Sequence, residues 1–141
     1  MNESQSDIHW ERLAYTAQTA VRFLDDLVDV GEYPFSFIKE RSMATRKIGV
    51  GIMGLHDLLI KLGLRYDSLE GRRHSARLMA FIAEQVEYAT SELGREKGNF
   101  PLWERSSFSA SKQPRRNASC LTIAPTGTIS ILAGVEGYGI E

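Results

Sequence analysis

One stretch decides the fold prediction: Ala118-Ser119-Cys120-Leu121-Thr122-Ile123-Ala124-Pro125-Thr126-Gly127-Thr128-Ile129-Ser130. Its β-prone run from Ser119 to Ala124 predicts a buried strand, and Thr128 to about Ala133 predicts a short helix. The Pro-Thr-Gly-Thr turn between them leaves unpaired backbone N–H groups at the start of the helix, where the helix dipole adds partial positive charge. The stretch therefore predicts a phosphate site, the alternative being a simple turn and helix cap.

The composition predicts one globular domain over residues 1–141, with 43% hydrophobic and 25% charged residues. Seventeen basic and eighteen acidic side chains give a net charge of −1, which argues against a nucleic-acid or membrane-surface binder. One local basic cluster is interpreted as a solvated loop; it consists of Lys112, Arg115 and Arg116.

The single cysteine, Cys120, excludes an internal disulfide and favours a reducing compartment. No apolar run approaches the ~18 residues that span a bilayer. The segment Met1–Asp7 lacks the pattern of a signal peptide. The cytoplasm is therefore the expected location.

Helices dominate the predicted secondary structure. Apolar residues at helical spacing predict a first helix from about Ile8 to Val30, capped by Asp7 and stopped by Gly31. Three further helices are predicted over residues 35–45, 55–62 and 69–97. Asp67 and Ser68 are the candidate caps of the last of these. Residues 99–117 show no sustained period and predict an irregular connection.

Only two short strands are predicted. The alternation of Ile48, Val50 and Ile52 indicates the first, and Ser119–Ala124 is the second. Two short strands cannot form a complete sheet, and helices around isolated strands are typical of a larger α/β structure. The chain is therefore predicted to be one piece of such a structure.

The segment Gly49–Gly54 matches the G-x-G-x-x-G pattern between a predicted strand and a helix. A dinucleotide site requires a second parallel strand that ends in an acidic residue soon after the helix, whereas Leu64–Asp67 leads into another long helix. Close packing of the backbone between strand and helix is the preferred interpretation of these glycines.

No catalytic residue or metal ligand is assigned from spacing. The three histidines lack the spacing of a metal site: His9, His56 and His74. An acidic cluster at the end of the first helix consists of Asp25, Asp26 and Asp29. Exposure to water, or a basic partner such as Arg22 or Arg46, explains it more simply than acid–base catalysis does. Cys120 has no histidine nearby in the chain and is predicted to be a buried packing residue.

Together, three segments resemble the large catalytic subunit of ribonucleotide reductase, and most closely its adenosylcobalamin-dependent branch. The segments are Ala20–Asp26 with Tyr33-Pro34, Arg46–Leu59 leading to Leu62–Ser68, and Ile123–Val135. Their order and intervals also fit, and the match runs from about Leu13 to Glu141.

The resemblance implies a predominantly helical fragment of that family's ten-stranded α/β barrel. It also implies that the Pro-Thr-rich loop holds the phosphates of a ribonucleotide substrate. By position, the phosphate contacts are Thr126, Gly127, Thr128 and Ile129, with Ser130 a weaker candidate. The implied cofactor of the complete enzyme is adenosylcobalamin, and the implied partner is the remainder of the catalytic subunit.

The sequence also departs from the family pattern. The Asn-x-Cys-x-Glu radical loop and the cysteine pair that reduces the substrate are missing, and Cys120 occupies none of those positions. The expectation is therefore a segment, cut from a longer chain or made by a split gene, that is inactive in isolation. A noncatalytic helical protein-interaction module is the alternative. Homo-oligomerisation and the choice between diphosphate and triphosphate substrates stay open.

Overall fold

Helices make up most of the structure. The computed structural model describes residues 8–140. Within these residues the α-helices are α1 (Trp10–Val30), α2 (Ser36–Thr45), α3 (Leu55–Lys61), α4 (Leu69–Lys97) and α5 (Gly127–Ala133). All five predicted helices are present, and their ends differ from the predictions by two residues at most. The irregular connection contains two short 3₁₀ turns, Trp103–Arg105 and Ser107–Ser111.

The ends of the helices follow local chemistry. The Ser68 hydroxyl accepts the Gly71 N–H at 2.9 Å, which confirms the predicted cap of α4. At the end of α1, the Gly31 N–H donates to Leu27 O at 3.0 Å. His9 occupies the N-cap position of α1 without a side-chain hydrogen bond, and the predicted cap Asp7 lies outside the described residues.

The core lies mainly between α1 and α4, which pack along each other. Their buried side chains recur at intervals of three or four residues, so each helix turns one apolar face inward. These residues are Ala17 and Val21 on α1, and Leu78, Ile82, Val86, Ala89 and Leu93 on α4. At one end, the Trp10 and Phe81 rings meet edge to face with centroids 4.8 Å apart. No helix within residues 8–140 is long and apolar enough to cross a membrane.

Two extended segments, residues 48–52 and 119–124, lie side by side in parallel. Three backbone hydrogen bonds join them: Ile48 N–H to Ser119 O at 2.9 Å, Val50 N–H to Cys120 O at 2.7 Å, and Thr122 N–H to Val50 O at 3.0 Å. The predicted strands are thus reduced, within the described residues, to one bridge between Val50 and Leu121. A parallel ladder is normally supported by further strands as well as by covering helices, and residues 8–140 contain no further strand.

Glycines allow the two extended segments to approach each other. A Cβ on Gly49 would lie 2.5 Å from Thr122 Cγ2, and one on Gly51 would lie 2.3 Å from Thr122 O. The close packing predicted for the G-x-G-x-x-G segment is therefore present, but the neighbour of these two glycines is the second extended segment and not a helix. This arrangement gives the glycines a packing role that needs no dinucleotide.

Candidate functional site

The loop at residues 125–129 connects the second extended segment to α5 and is exposed to solvent, except at Thr126, which is partly buried. Thr126 has a left-handed backbone, with φ 57°, and occupies the N-cap position of α5. The N–H groups of Gly127, Thr128 and Ile129 donate no hydrogen bond to any residue between 8 and 140. Three free backbone donors thus meet at the start of a helix, as an anion site requires.

Gly127 leaves open space beside these donors. A Cβ at this position would meet no protein atom within 4 Å. The glycine is therefore not required by the packing of this chain. The space next to its N–H is accessible to a ligand.

The hydroxyl groups around the loop have different partners. Thr126 Oγ1 accepts the Gly139 N–H at 2.7 Å, and Ser130 Oγ donates to Gly127 O at 3.1 Å. Ser130 is only 1% exposed, so its hydroxyl stabilises the first turn of α5 from the buried side and does not face the solvent. The exposed Thr128 hydroxyl has no hydrogen-bond partner among the described residues. The open donors are therefore the three backbone N–H groups and the Thr128 hydroxyl, together with the Thr126 O–H, because Thr126 Oγ1 only accepts in its bond with Gly139 and donates to no described residue.

A buried ion pair lies beneath the start of the second extended segment. Arg46 Nε donates to Asp25 Oδ1 at 2.8 Å, and the same guanidinium donates to both Asp29 oxygens at 2.7 and 2.9 Å. Asp25 is 0% exposed and Arg46 4%. Of the two basic partners predicted for the aspartates, Arg46 is confirmed, whereas Arg22 pairs with Glu96.

Asn117 connects this ion pair to the second extended segment. Its Nδ2 donates to Asp25 Oδ1 at 2.9 Å and to Arg46 O at 3.0 Å, while its Oδ1 accepts the Thr90 hydroxyl at 2.9 Å. All four side chains are buried. This network links α1, α2 and α4 to the residues that precede the second extended segment, at the end opposite the loop at residues 125–129.

The network also sets the protonation of Asp25. Burial alone would raise the pKa of Asp25, but hydrogen bonds from Arg46, Asn117 and Arg116 outweigh it and hold the pKa below the usual value. The hydrogen bonds from Arg46 likewise lower the pKa of Asp29. Both carboxylates are therefore charged at neutral pH.

Ion pairs with basic side chains explain why three aspartates lie close together, and no metal ion is needed to balance their charge. Oxygens of Asp25, Asp26 and Asp29 lie within 4.8 Å of one another, and theirs is the only group of potential metal ligands brought together within residues 8–140. Their charge is balanced by Arg46, Lys97 and Arg116. These side chains therefore form an ion-pair network.

The interpretation of the basic cluster as a solvated loop is wrong for two of its three members. Arg115 is 8% exposed, pairs with Glu87 and lies with its guanidinium carbon 4.2 Å from the Phe108 ring centroid. Arg116 pairs with Asp25 at 3.2 Å and donates to the last carbonyls of α4. The burial of these two arginines could not be predicted from the local charge density, because their carboxylate partners, Glu87 and Asp25, are distant in the sequence. Lys112 is exposed, as predicted.

Cys120 belongs to the core. It is 4% exposed, and its Sγ lies 3.7 Å from Arg115 Nη2. Burial raises the pKa of this thiol, so it is protonated at neutral pH. The packing role predicted for Cys120 agrees with this environment.

Sequence reasoning missed two groups of residues that organise the site. Asn117 and Thr90 carry no motif, since their importance lies in contacts between distant segments. Asp57 and Gly139 were also missed; they hold the segment after α5 in place. The glycine-rich composition of residues 134–139 was the only available signal for that turn.

Comparison with known proteins gives a consistent result. The family model described as ribonucleotide reductase, barrel domain, matches residues 1–114. A vitamin B12-dependent ribonucleoside-diphosphate reductase of Mycobacterium tuberculosis (strain H37Rv) is 49% identical over 134 residues, which cover 95% of this chain and 19% of the relative. The enzyme of the same name from Thermoplasma acidophilum is 44% identical over 127 residues, covering 90% of this chain and 16% of the relative.

A third relative has a different name. The ribonucleoside-diphosphate reductase subunit alpha of Chlamydia trachomatis serovar D is 35% identical over 130 residues, covering 90% of this chain and 11% of the relative. The chain thus spans no more than about a fifth of the length of these proteins.

Proposed function

Because the chain belongs to the ribonucleotide reductase barrel-domain family, we propose that it contributes part of the barrel and the substrate-phosphate loop of a vitamin B12-dependent ribonucleotide reductase. The substrate proposed is a ribonucleoside diphosphate, since the most similar relatives reported above carry that word in their names. The proposed partner is the remainder of the catalytic subunit, and the proposed location is the cytoplasm.

The observation that carries the proposal is the set of free N–H groups at Gly127, Thr128 and Ile129. They lie at the end of an extended segment and at the start of α5, next to open space at Gly127. Backbone donors at a helix start favour a phosphate because they add hydrogen bonds to the positive end of the helix dipole. Thr128 supplies a further hydroxyl, and Ser130 supports the turn from its buried side.

The role proposed for this chain is to bind and orient the substrate. Its one cysteine is buried and protonated, and it is the only thiol in the sequence. Reduction of a ribonucleotide by thiols requires groups that this chain does not contain. The isolated chain is therefore expected to bind the diphosphate without converting it.

Vitamin B12, when bound to the complete enzyme, would supply the radical chemistry. The apolar groove among the described residues does not fit this group. The groove between α1, α3 and α4 has a volume of about 400 Å³ and is lined largely by apolar side chains, among them Leu13, Ile52, Leu58, Leu78 and Ile82. A corrin carries many peripheral amides that need hydrogen-bond partners, and the polar side chains of this lining are few: His9, Arg12 and Thr16. The cofactor is therefore assigned to the rest of the enzyme.

Complementation tests the proposed activity. The chain is mixed with the remaining portion of a matching reductase, adenosylcobalamin, a dithiol and CDP, and deoxynucleotide formation is measured. Product is expected only when both portions are present. A correctly assembled mixture that makes no product would contradict the proposal.

A pair of variants tests the loop. Gly127→Val places a branched side chain in the space beside the free N–H groups, and we expect CDP affinity to fall at least about ten-fold because the phosphate can no longer approach. Gly127→Ala is the matched control, with a smaller loss, since its Cβ meets no protein atom within 4 Å. Equal CDP affinity for wild type and Gly127→Val would rule out the loop assignment.

The exposed apolar surface of α5 favours a second candidate, a noncatalytic protein-interaction module. Ile131 is 80% exposed and Leu132 88%. Exposed apolar side chains next to each other are typical of an interface. Analytical ultracentrifugation of the chain with and without CDP separates the two functions: the module predicts self-association or partner binding that CDP does not affect, together with no binding of CDP.

A further inference from the structure

Residues 135–139, here called the strap, run from the end of α5 back to the loop that precedes this helix. Three backbone N–H groups of the strap donate hydrogen bonds: Val135 to Ser130 O at 3.0 Å, Glu136 to Asp57 Oδ2 at 3.2 Å, and Gly139 to Thr126 Oγ1 at 2.7 Å. The strap therefore joins the start of α3 to the proposed phosphate loop, although the two are far apart in the sequence.

The strap is closely packed at its Asp57 end. Asp57 lies in the first turn of α3, and Gly54 directly before this helix has a left-handed backbone, with φ 72°. A Cβ on Gly54 would lie 2.7 Å from Val135 Cγ1. The glycine thus lets the strap approach, and the Asp57 carboxylate receives the next N–H along the strap.

At its other end, the strap holds Thr126. The φ of 57° places this β-branched residue in the left-handed region, which is unfavourable for a residue with a Cβ. Its hydroxyl accepts the N–H of Gly139, a buried residue that itself has φ 61°. This hydrogen bond supports the residue whose backbone directs the next three N–H groups into the site.

We propose that Asp57 is a positioning residue for the phosphate loop. It anchors the strap through Glu136, and the strap in turn holds Thr126 in the conformation that presents the N–H groups of residues 127–129. The inference rests on the proposed phosphate function of the loop. Asp57 makes no hydrogen bond to residues 125–129, so its effect passes through the strap.

Amide hydrogen exchange in the free ¹⁵N-labelled chain tests the connection. In the Asp57→Ala variant, exchange of the Gly139 N–H is expected to accelerate about ten-fold, because the strap loses a hydrogen bond. The amide resonances of residues 127–129 are expected to shift as well. Asp57→Asn keeps an oxygen acceptor and should restore most of the protection, while Lys61→Ala, at an exposed position on the same helix, should match wild type.

Titration with inorganic pyrophosphate tests the consequence for binding. Pyrophosphate is expected to shift the resonances of residues 127–129 in wild type and to bind Asp57→Ala about ten-fold more weakly, the loss expected for one hydrogen bond. If Asp57→Ala does not fold, the variant Glu136→Pro takes its place in both experiments. Proline has no N–H, so this variant removes the donor of the same hydrogen bond.

Hydrogen exchange and pyrophosphate titration together distinguish a failure of the phosphate function from a failure of the positioning role of Asp57. If wild type does not bind pyrophosphate or CDP, the phosphate function is wrong, and exchange at Gly139 still decides whether Asp57 controls the strap. If Asp57→Ala leaves that exchange and the resonances of residues 127–129 at wild-type values, the positioning role is overturned. Wild-type pyrophosphate affinity in a variant with a released strap would overturn it as well.

Discussion

Arg46 and Asp25 form a buried ion pair that joins the end of α2 to α1. Their closest atoms, Nε and Oδ1, are 2.8 Å apart, and the side chains are 4% and 0% exposed. Arg46 also has a left-handed backbone, with φ 47°, and its N–H donates to Ser42 O at the end of α2. One residue thus ends a helix and neutralises a buried charge.

Replacing Asp25 with Asn should destabilise the fold strongly. The change removes the charge of the fully buried carboxylate that Arg46 and Arg116 contact, and breaking a buried pair in this way costs about 3–5 kcal/mol. Asp26→Asn is the matched control, because Asp26 is exposed and its pair with Lys97 is worth about 1 kcal/mol or less. Urea unfolding measures both variants, and equal losses would contradict the role assigned to Asp25.

Stability should fall in acid through Asp25 and Asp29. Their pKa values are lower in the folded chain than the usual value of about 4, so the unfolded state takes up protons first as the pH falls. The stabilisation is complete above about pH 5 and is lost as the pH falls through the folded pKa values. Urea unfolding between about pH 6 and pH 3 should give a shallower acid dependence for Asp25→Asn than for wild type. If the free energy of unfolding falls equally steeply with pH in Asp25→Asn and in wild type, Asp25 does not contribute to the acid dependence of stability.

Gly51→Ala should disrupt the contact between the two extended segments. The new Cβ would lie 2.3 Å from Thr122 O, so the backbones must separate, at a cost of about 1–3 kcal/mol. Thermal unfolding should detect this loss. Gly127→Ala adds the same methyl group where no protein atom lies within 4 Å, and it should leave the unfolding free energy nearly unchanged.

Cys120 should react slowly with a thiol reagent in the folded chain. The residue is 4% exposed and burial raises the pKa of its thiol, so both access and ionisation oppose the reaction. Labelling with Ellman's reagent at about pH 8 should be at least about 100-fold slower than in urea, because the thiol reacts only when the structure opens. Comparable rates in the two conditions would contradict a structural role.

Local sequence patterns predicted the helices well. The range predicted for α4 coincides with the observed Leu69–Lys97, because its Ser68 cap and the terminating Gly98 act within a turn or two of the backbone. The turn after Pro125 was also predictable from a β-prone run followed by Thr-Gly-Thr. Its phosphate role remains a proposal.

The buried polar contacts were less predictable. Arg116 sits in a basic, Ser- and Pro-rich segment, yet it pairs with Asp25, a residue 91 positions away. Nothing local to Asn117 indicates that it joins Asp25, Arg46 and Thr90. Such contacts depend on the path of the whole chain and leave no periodic pattern.

The sequence by itself determined the helices, their boundaries and the family, because capping and hydrophobic spacing act locally and the matching segments are long. Only the tertiary structure decided which polar groups of the loop have partners. The Gly139 N–H donates to the Thr126 hydroxyl oxygen, whereas the N–H groups of residues 127–129 have no partner within residues 8–140. That selection is made by a hydrogen bond between residues brought together by folding, and no local preference of either residue specifies it.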